Sequence, residues 1–93
     1  MPTFIAVCTF KPDTNMADVF AVVAEETAQV AALSAEGRLG FVRLSLARGT
    51  VFLEVFADDE SGADATVRTL PMAAWWNIDV FPIALPTLPG SSV

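Results

Sequence analysis

The alternation of apolar and polar positions is clearest between Leu39 and Phe56. Two β-rich runs, Leu39 to Ala47 and Thr50 to Phe56, flank Arg48-Gly49, a break that contains glycine and reads as a hairpin turn. With Arg48-Gly49 as a two-residue loop, Ala47 faces Thr50, Leu46 faces Val51 and Arg43 faces Glu54. Side chains alternate across a strand. One face then carries Val42, Leu44, Leu46, Val51, Leu53 and Val55, and the other carries Phe41, Arg43, Ser45, Phe52, Glu54 and Phe56. The aliphatic face calls for a cover of helices. The other places three Phe around one matched pair of charges and calls for a second subunit or a ligand.

Thr3 to Phe10 reads as a first strand, apolar on both sides, closed by Lys11-Pro12, with Asp13, Thr14 or Asn15 available to cap a helix. One helix is predicted from Met16 to about Ala35. Its stripe is Met16, Val19, Val23 and Val30, with Phe20, Val22 and Leu33 at the margins, while Asp18, Glu25, Gln29 and Glu36 face water. Glu26 breaks the pattern, because at about 100° per residue it falls inside the apolar stripe. Gly37 supplies the stop. The acidic turn Asp58-Asp59-Glu60 precedes a second helix, Gly62 to Leu70, with Ala63, Thr66, Val67 and Leu70 on its apolar face. Pro71 ends that helix, Met72 to Trp76 is a loop or a loose turn, and Asn77 to Ala84 is the last strand.

This order, βαββαβ, predicts an α+β, ferredoxin-like domain over residues 1–86: a four-stranded antiparallel sheet with two helices on one face. The Phe-rich face points to a homodimer or higher homo-oligomer, a dimeric α+β barrel. Residues 87–93 form a C-terminal tail, either loose or an arm reaching a neighbour.

Composition narrows the chemistry. At 54% hydrophobic residues, the 93-residue chain carries more apolar surface than one small core hides, which again favours self-association. No run approaches the roughly 18 apolar residues of a membrane span. The net charge of −6, with five scattered basic residues, argues against nucleic acid and anionic membrane as partners. A lone Cys8 and no His leave no His- or Cys-based metal site, and no glycine-rich phosphate loop is present. The single thiol fits a reducing cytoplasm.

From Ala24 onward the chain resembles muconolactone isomerase and its relatives, small enzymes of aromatic-compound breakdown. The resemblance is carried by Glu25-Glu26, Glu36-Gly37, the hairpin, Leu70-Pro71, Asn77-Ile78-Asp79-Val80 after an aromatic pair, and the tail Pro89-Gly90-Ser91-Ser92. The family typically has His, Trp and Tyr around the hairpin. This chain has Phe41, Arg43, Arg48 and Gly49 there, with no His or Tyr anywhere, so no role of a ring nitrogen or phenol carries over. The resemblance implies a cofactor-independent shift of a proton and a double bond within a small unsaturated lactone or related acid, with a small-molecule ligand as partner.

Such a reaction needs a base near an acidic C–H and donors for the developing enolate oxygen. Glu26 is the candidate base, since an apolar setting raises a carboxyl pKa toward neutrality. Arg43 is the candidate anchor for a substrate carboxylate or enolate. Ser45 and Asn77 add neutral hydrogen bonds, and Trp75 and Trp76 wall an apolar cavity. Each has a plainer alternative. Arg43 pairs with Glu54 across the strands, Glu26 reaches water or a partner's Arg, and the Trp residues are core or interface anchors. Three classes therefore stand: the isomerase; another cofactor-free enzyme on the same scaffold, such as a small oxygenase or cyclase; and a non-catalytic ligand-binding or assembly module.

Overall fold

The first strand forms over the expected residues, as β1 (Thr3–Phe10). Pro12 follows, Asp13 turns the chain at φ 67°, and Asn15 caps α1 (Met16–Phe20) by accepting the Ala17 N–H at 3.0 Å. The structure, a computed structural model, describes residues 1–84. The expected domain end at 86 and the tail at 87–93 lie outside the described residues.

The single helix expected from Met16 to Ala35 is two helices. α1 ends at Phe20 and α2 spans Val23–Ala35. The joint falls at Val22-Val23, a β-branched pair whose restricted χ1 disfavours continuous helix. There the Val22 N–H bonds the Val19 carbonyl three residues back, and Val22 sits at φ −107°. At its far end α2 closes as a Schellman motif: the Arg38 N–H donates to the Leu33 carbonyl at 2.9 Å and Gly37 takes φ 73°.

β2 (Leu39–Ser45) and β3 (Thr50–Phe56) form the expected hairpin, but in a different register. The loop is not Arg48-Gly49 alone. A 3₁₀ turn over Leu46–Arg48, closed by Gly49 at φ 55°, sets Ser45 opposite Thr50, Leu44 opposite Val51 and Arg43 opposite Phe52. From Val42 to Ser45 the pairing has slipped by an even number of residues, so each of these residues keeps its face. The partners change, however, and Arg43 does not meet Glu54. Its guanidinium lies 5.4 Å from the Phe41 ring centroid and donates to the Val42 carbonyl. Glu54 instead accepts the Phe41 N–H at 3.3 Å. Leu46, expected on the aliphatic face, sits in the turn at 83% exposure.

A bulge lies between Leu39 and Val42, where Gly40 and Phe41 together stand against Glu54. A Cβ at Gly40 would meet the Glu54 carboxylate as it lies here, so a larger residue would have to swing that side chain aside. α3 (Glu60–Arg68) is capped by Asp59, which accepts the Gly62 N–H at 2.7 Å. A 3₁₀ turn over Pro71–Trp75 leads into β4 (Trp76–Ile83).

The four strands form one antiparallel sheet in the order β2-β3-β1-β4, and with three helices the fold is α+β. Register places Phe4, Ala6 and Cys8 beside Val55, Leu53 and Val51 on one face. α2 buries Leu33, and α3 buries Ala63 and Val67, in the same cluster. The opposite face carries Ile5, Val7, Phe52, Phe56 and Phe81 among Arg43, Glu54 and Asp79. No helix among the described residues is long and apolar enough to cross a membrane.

Gly37 has open space around its missing Cβ, so the cost of Gly37→Ala is purely conformational. The variant is expected to lose about 1–2 kcal/mol, the penalty of a left-handed non-glycine residue, as measured by urea unfolding.

Candidate functional site

The two apolar surfaces expected to pack on one another do not fully meet. Met16, Val19, Val23 and Val30 of the helical stripe face Val42, Leu44, Val51 and Leu53 of the sheet across a cavity of about 440 Å³. Small-molecule sites typically enclose about 300–1,000 Å³. Phe10, Met72 and Trp76 close one end. Phe20 and Leu44, 67% and 56% exposed, stand at the rim with Leu46.

Among the described residues Glu26 is the sole ionisable one lining this cavity. The break after Phe20 gives α2 its own start, which places Glu26 in the first turn of the helix. There its Oε1 accepts the Met72 N–H at 2.9 Å. Among the described residues Oε2 has no hydrogen-bond partner. Burial pushes the carboxyl pKa above its ordinary value of 4.5, and the Met72 hydrogen bond opposes part of that rise. The carboxylate is therefore anchored through one oxygen, sits among hydrocarbon, and holds its proton more tightly than a solvated Glu. Beneath it Cys8 is fully buried, its thiol pushed up to about 12 by burial and by the charge of Glu26. That thiol is a neutral packing group.

Of the residues selected from sequence, the cavity gathers Glu26 and Trp76. Trp76 is 3% exposed, meets Phe10 edge-on at 6.1 Å, and buries Nε1 without a partner among the described residues. Trp75 is half-buried outside the lining, and its carbonyl accepts the Lys11 N–H at 2.8 Å. Alternation and register place Arg43, Ser45 and Asn77 on the opposite face of the sheet, with Phe52, Thr50 and Thr9. The structure thus brings the candidate base to an apolar hollow without the candidate carboxylate anchor. Sequence reasoning missed Met72, whose backbone amide orients Glu26. Its one signal was the preceding Pro71, which begins the turn. No group of acidic, His or Cys side chains among the described residues could hold a metal ion.

No protein-family model matches the chain, and no curated protein matches it significantly in sequence.

Two outcomes follow from burial. Cys8 should resist iodoacetamide in the native protein at pH 8 and react fully in denaturant, read by mass spectrometry. Glu26→Gln should reveal the protonation linkage. Because the folded pKa of Glu26 lies above its unfolded one, its favourable contribution is complete below about pH 4.5 and is lost as pH rises through the folded value. The stability of Glu26→Gln relative to wild type should therefore increase across that window in urea melts. A pH-independent difference would refute the linkage.

Proposed function

We propose that this protein is a cofactor-independent isomerase resembling muconolactone isomerase, in which Glu26 moves a proton within a small unsaturated lactone. One observation carries the reading: a single carboxyl group, its pKa raised by burial, is fixed by one oxygen at the wall of a hollow large enough for such a molecule. The carboxylate takes a proton from the carbon between the carbonyl and the double bond. The electron pair delocalises as a dienolate, and the same proton returns at the far end of the conjugated system. The double bond shifts and nothing else is consumed or released. Fixing Glu26 through Oε1 leaves Oε2 for this transfer, and a pKa displaced toward neutrality suits both halves of it. With Arg43 on the other sheet face, a neutral lactone fits the cavity better than an acid.

The scaffold part of the proposal is a ferredoxin-like domain that pairs as a dimeric α+β barrel in the cytoplasm. The succession of strands and helices and the order β2-β3-β1-β4 support it. So does the helix-free sheet face, where Arg43 pairs in register with Phe52, Phe52 with Val7, and Val7 with Asp79. A two-fold axis along the strands would lay Arg43 over Asp79 of a second copy, with Phe52 and Val7 between them. A buried reduced thiol suits the cytoplasm.

A second reading, cofactor-free oxygenation or cyclisation of a neutral aromatic compound, is favoured by a lining that holds no cationic residue among the described ones. It predicts oxygen uptake or ring closure rather than a double-bond shift.

Purified protein should convert alpha-angelica lactone to its conjugated isomer, followed by ultraviolet absorbance. Glu26→Gln should lower turnover by at least about 100-fold, the usual worth of a general base. Wild-type turnover should rise with pH through an apparent pKa above 4.5, because the base must be ionised. Undiminished turnover in Glu26→Gln would remove Glu26 from the mechanism. In sedimentation velocity, Arg43→Asp and Asp79→Arg should each weaken the dimer and the double variant restore it. A wild-type monomer would refute the pairing.

A further inference from the structure

Glu26 has one carboxylate oxygen that the fold leaves over. Oε1 accepts the Met72 N–H, and Oε2 has no partner among the described residues. Oε2 is not sealed in, however. Among the described residues that are not themselves exposed, Trp76 Nε1 alone is both shut off from solvent and unpartnered, so Oε2 of half-buried Glu26 keeps accessible surface. Val23 and Val30, three residues before and four after Glu26 along α2, line the cavity with it. The side chain thus leaves the helix on the face that borders the hollow.

The rest of the lining decides which chemistry can meet that oxygen. Among the described residues it holds no cation, and aliphatic side chains make up most of it. Burial has already removed part of the carboxylate's water, which is why its pKa stands above the ordinary value. A carboxylate or phosphate entering here would add a like charge. A neutral donor would satisfy the oxygen and leave the charge. An ammonium ion does both, since its N–H donates to Oε2 and its charge offsets that of Glu26. It must shed water on entry, a loss offset by pairing with the carboxylate. Phe10, Phe20 and Trp76 add ring surface, whose faces attract a cation. A single free oxygen needs a single N–H, so the other groups on the nitrogen meet hydrocarbon and are best hydrocarbon themselves.

We propose that this cavity is a binding site for amines with a hydrocarbon body, held as the ammonium ion by one N–H donated to Glu26 Oε2. The inference rests on the reading of the cavity as a ligand site. Within the lactone reaction it makes such amines inhibitors, because the ammonium occupies the oxygen left for proton transfer.

The test uses binding alone, so it is separable from turnover. Three naphthalenes of similar size are titrated against the wild-type protein by calorimetry at pH 8: 2-(dimethylaminomethyl)naphthalene, a cation with one N–H; 2-naphthalenemethanol, a neutral donor; and 2-naphthylacetate, an anion. The amine should bind about tenfold more tightly than the alcohol, the gap between a charge-assisted and a neutral hydrogen bond, and the anion more weakly than either. Glu26→Gln should lower the amine's affinity to that of the alcohol. The chain carries a net charge of −6, which draws any cation. Glu25→Gln removes the same charge from the exposed neighbouring position and should leave the amine preference intact. In carbon NMR of the wild-type protein, saturating amine should lower the Glu26 carboxyl pKa, because the ammonium favours the ionised form. That reading decides by itself should Glu26→Gln fail to fold. Amine preference in a protein that shows no lactone turnover would leave this assignment standing while the isomerase reading falls, and turnover without amine preference would do the reverse. Alcohol bound as tightly as amine, an amine affinity unchanged by Glu26→Gln or lost equally in Glu25→Gln, or an unmoved carboxyl titration would overturn the proposal.

Discussion

The hydrogen bond from the Met72 amide to Glu26 Oε1 is the constraint on which the site depends. It joins the first turn of α2 to the turn before β4, elements 46 residues apart in sequence. Without it a flexible, half-buried glutamate would extend toward water, where its charge is best solvated. With it the carboxylate stays at the cavity wall at the cost of one acceptor site. Its position in the first helical turn also supplies a favourable field, since a negative side chain there faces the positive end of the helix dipole. Two effects thus moderate the burial penalty without cancelling it, and the net displacement of the pKa remains upward.

The cavity lies beside the interrupted first helix, and residues of both α1 and α2 line it. Continuous helix from Met16 to Ala35 would carry its stripe along one straight line against the sheet. The break at Val22-Val23 interrupts that run, with Val22 at φ −107° between α1 and α2. Leu33 at the far end of α2 and Val19 in α1 are buried, whereas Val23 at the break and Met16 at the start of α1 stay more than a third exposed. The sheet contributes equally. β2 holds Val42 and Leu44 toward the hollow, and the tight turn carries Leu46 past the end of the ladder. Apolar residues that would close a core in a simpler domain are here spread around a space.

Much of this was legible in the sequence, for identifiable reasons. β1 is a short apolar run, and its limits matched because Pro12 and the Asn15 cap are local signals. The faces of Val42 to Ser45 and of their partners in β3 were readable because alternation survives an even slip in register, whereas Leu39, beyond the bulge, lies opposite Val55 on the core face. The partner of each residue was not, since loop length is decided by whether Leu46 joins the strand or the turn, and its apolar character argued for the wrong choice. The helix break was missed because periodicity registers the angle between side chains and not a change of axis, although the β-branched pair was there to be seen. Glu26 was legible as a charge out of place. Its anchor was not, because a backbone amide supplied by a distant turn leaves no mark in composition or spacing. The separation of Arg43 from Glu26 followed from strand parity, yet parity alone does not say on which side of a sheet the helices lie.

The bulge at Gly40-Phe41 bears on how the molecule keeps to itself. β2 and β4 are the outer strands, and outer strands offer unpaired amides on which foreign chains can extend a sheet. In β2 the Phe41 amide is already engaged by the Glu54 side chain, and the added residue twists the strand out of a flat line. In β4 Pro82 contributes no amide at all. A chain so rich in hydrocarbon thus carries a bulge in one margin and a proline in the other, two features that oppose extension of a sheet along its edges.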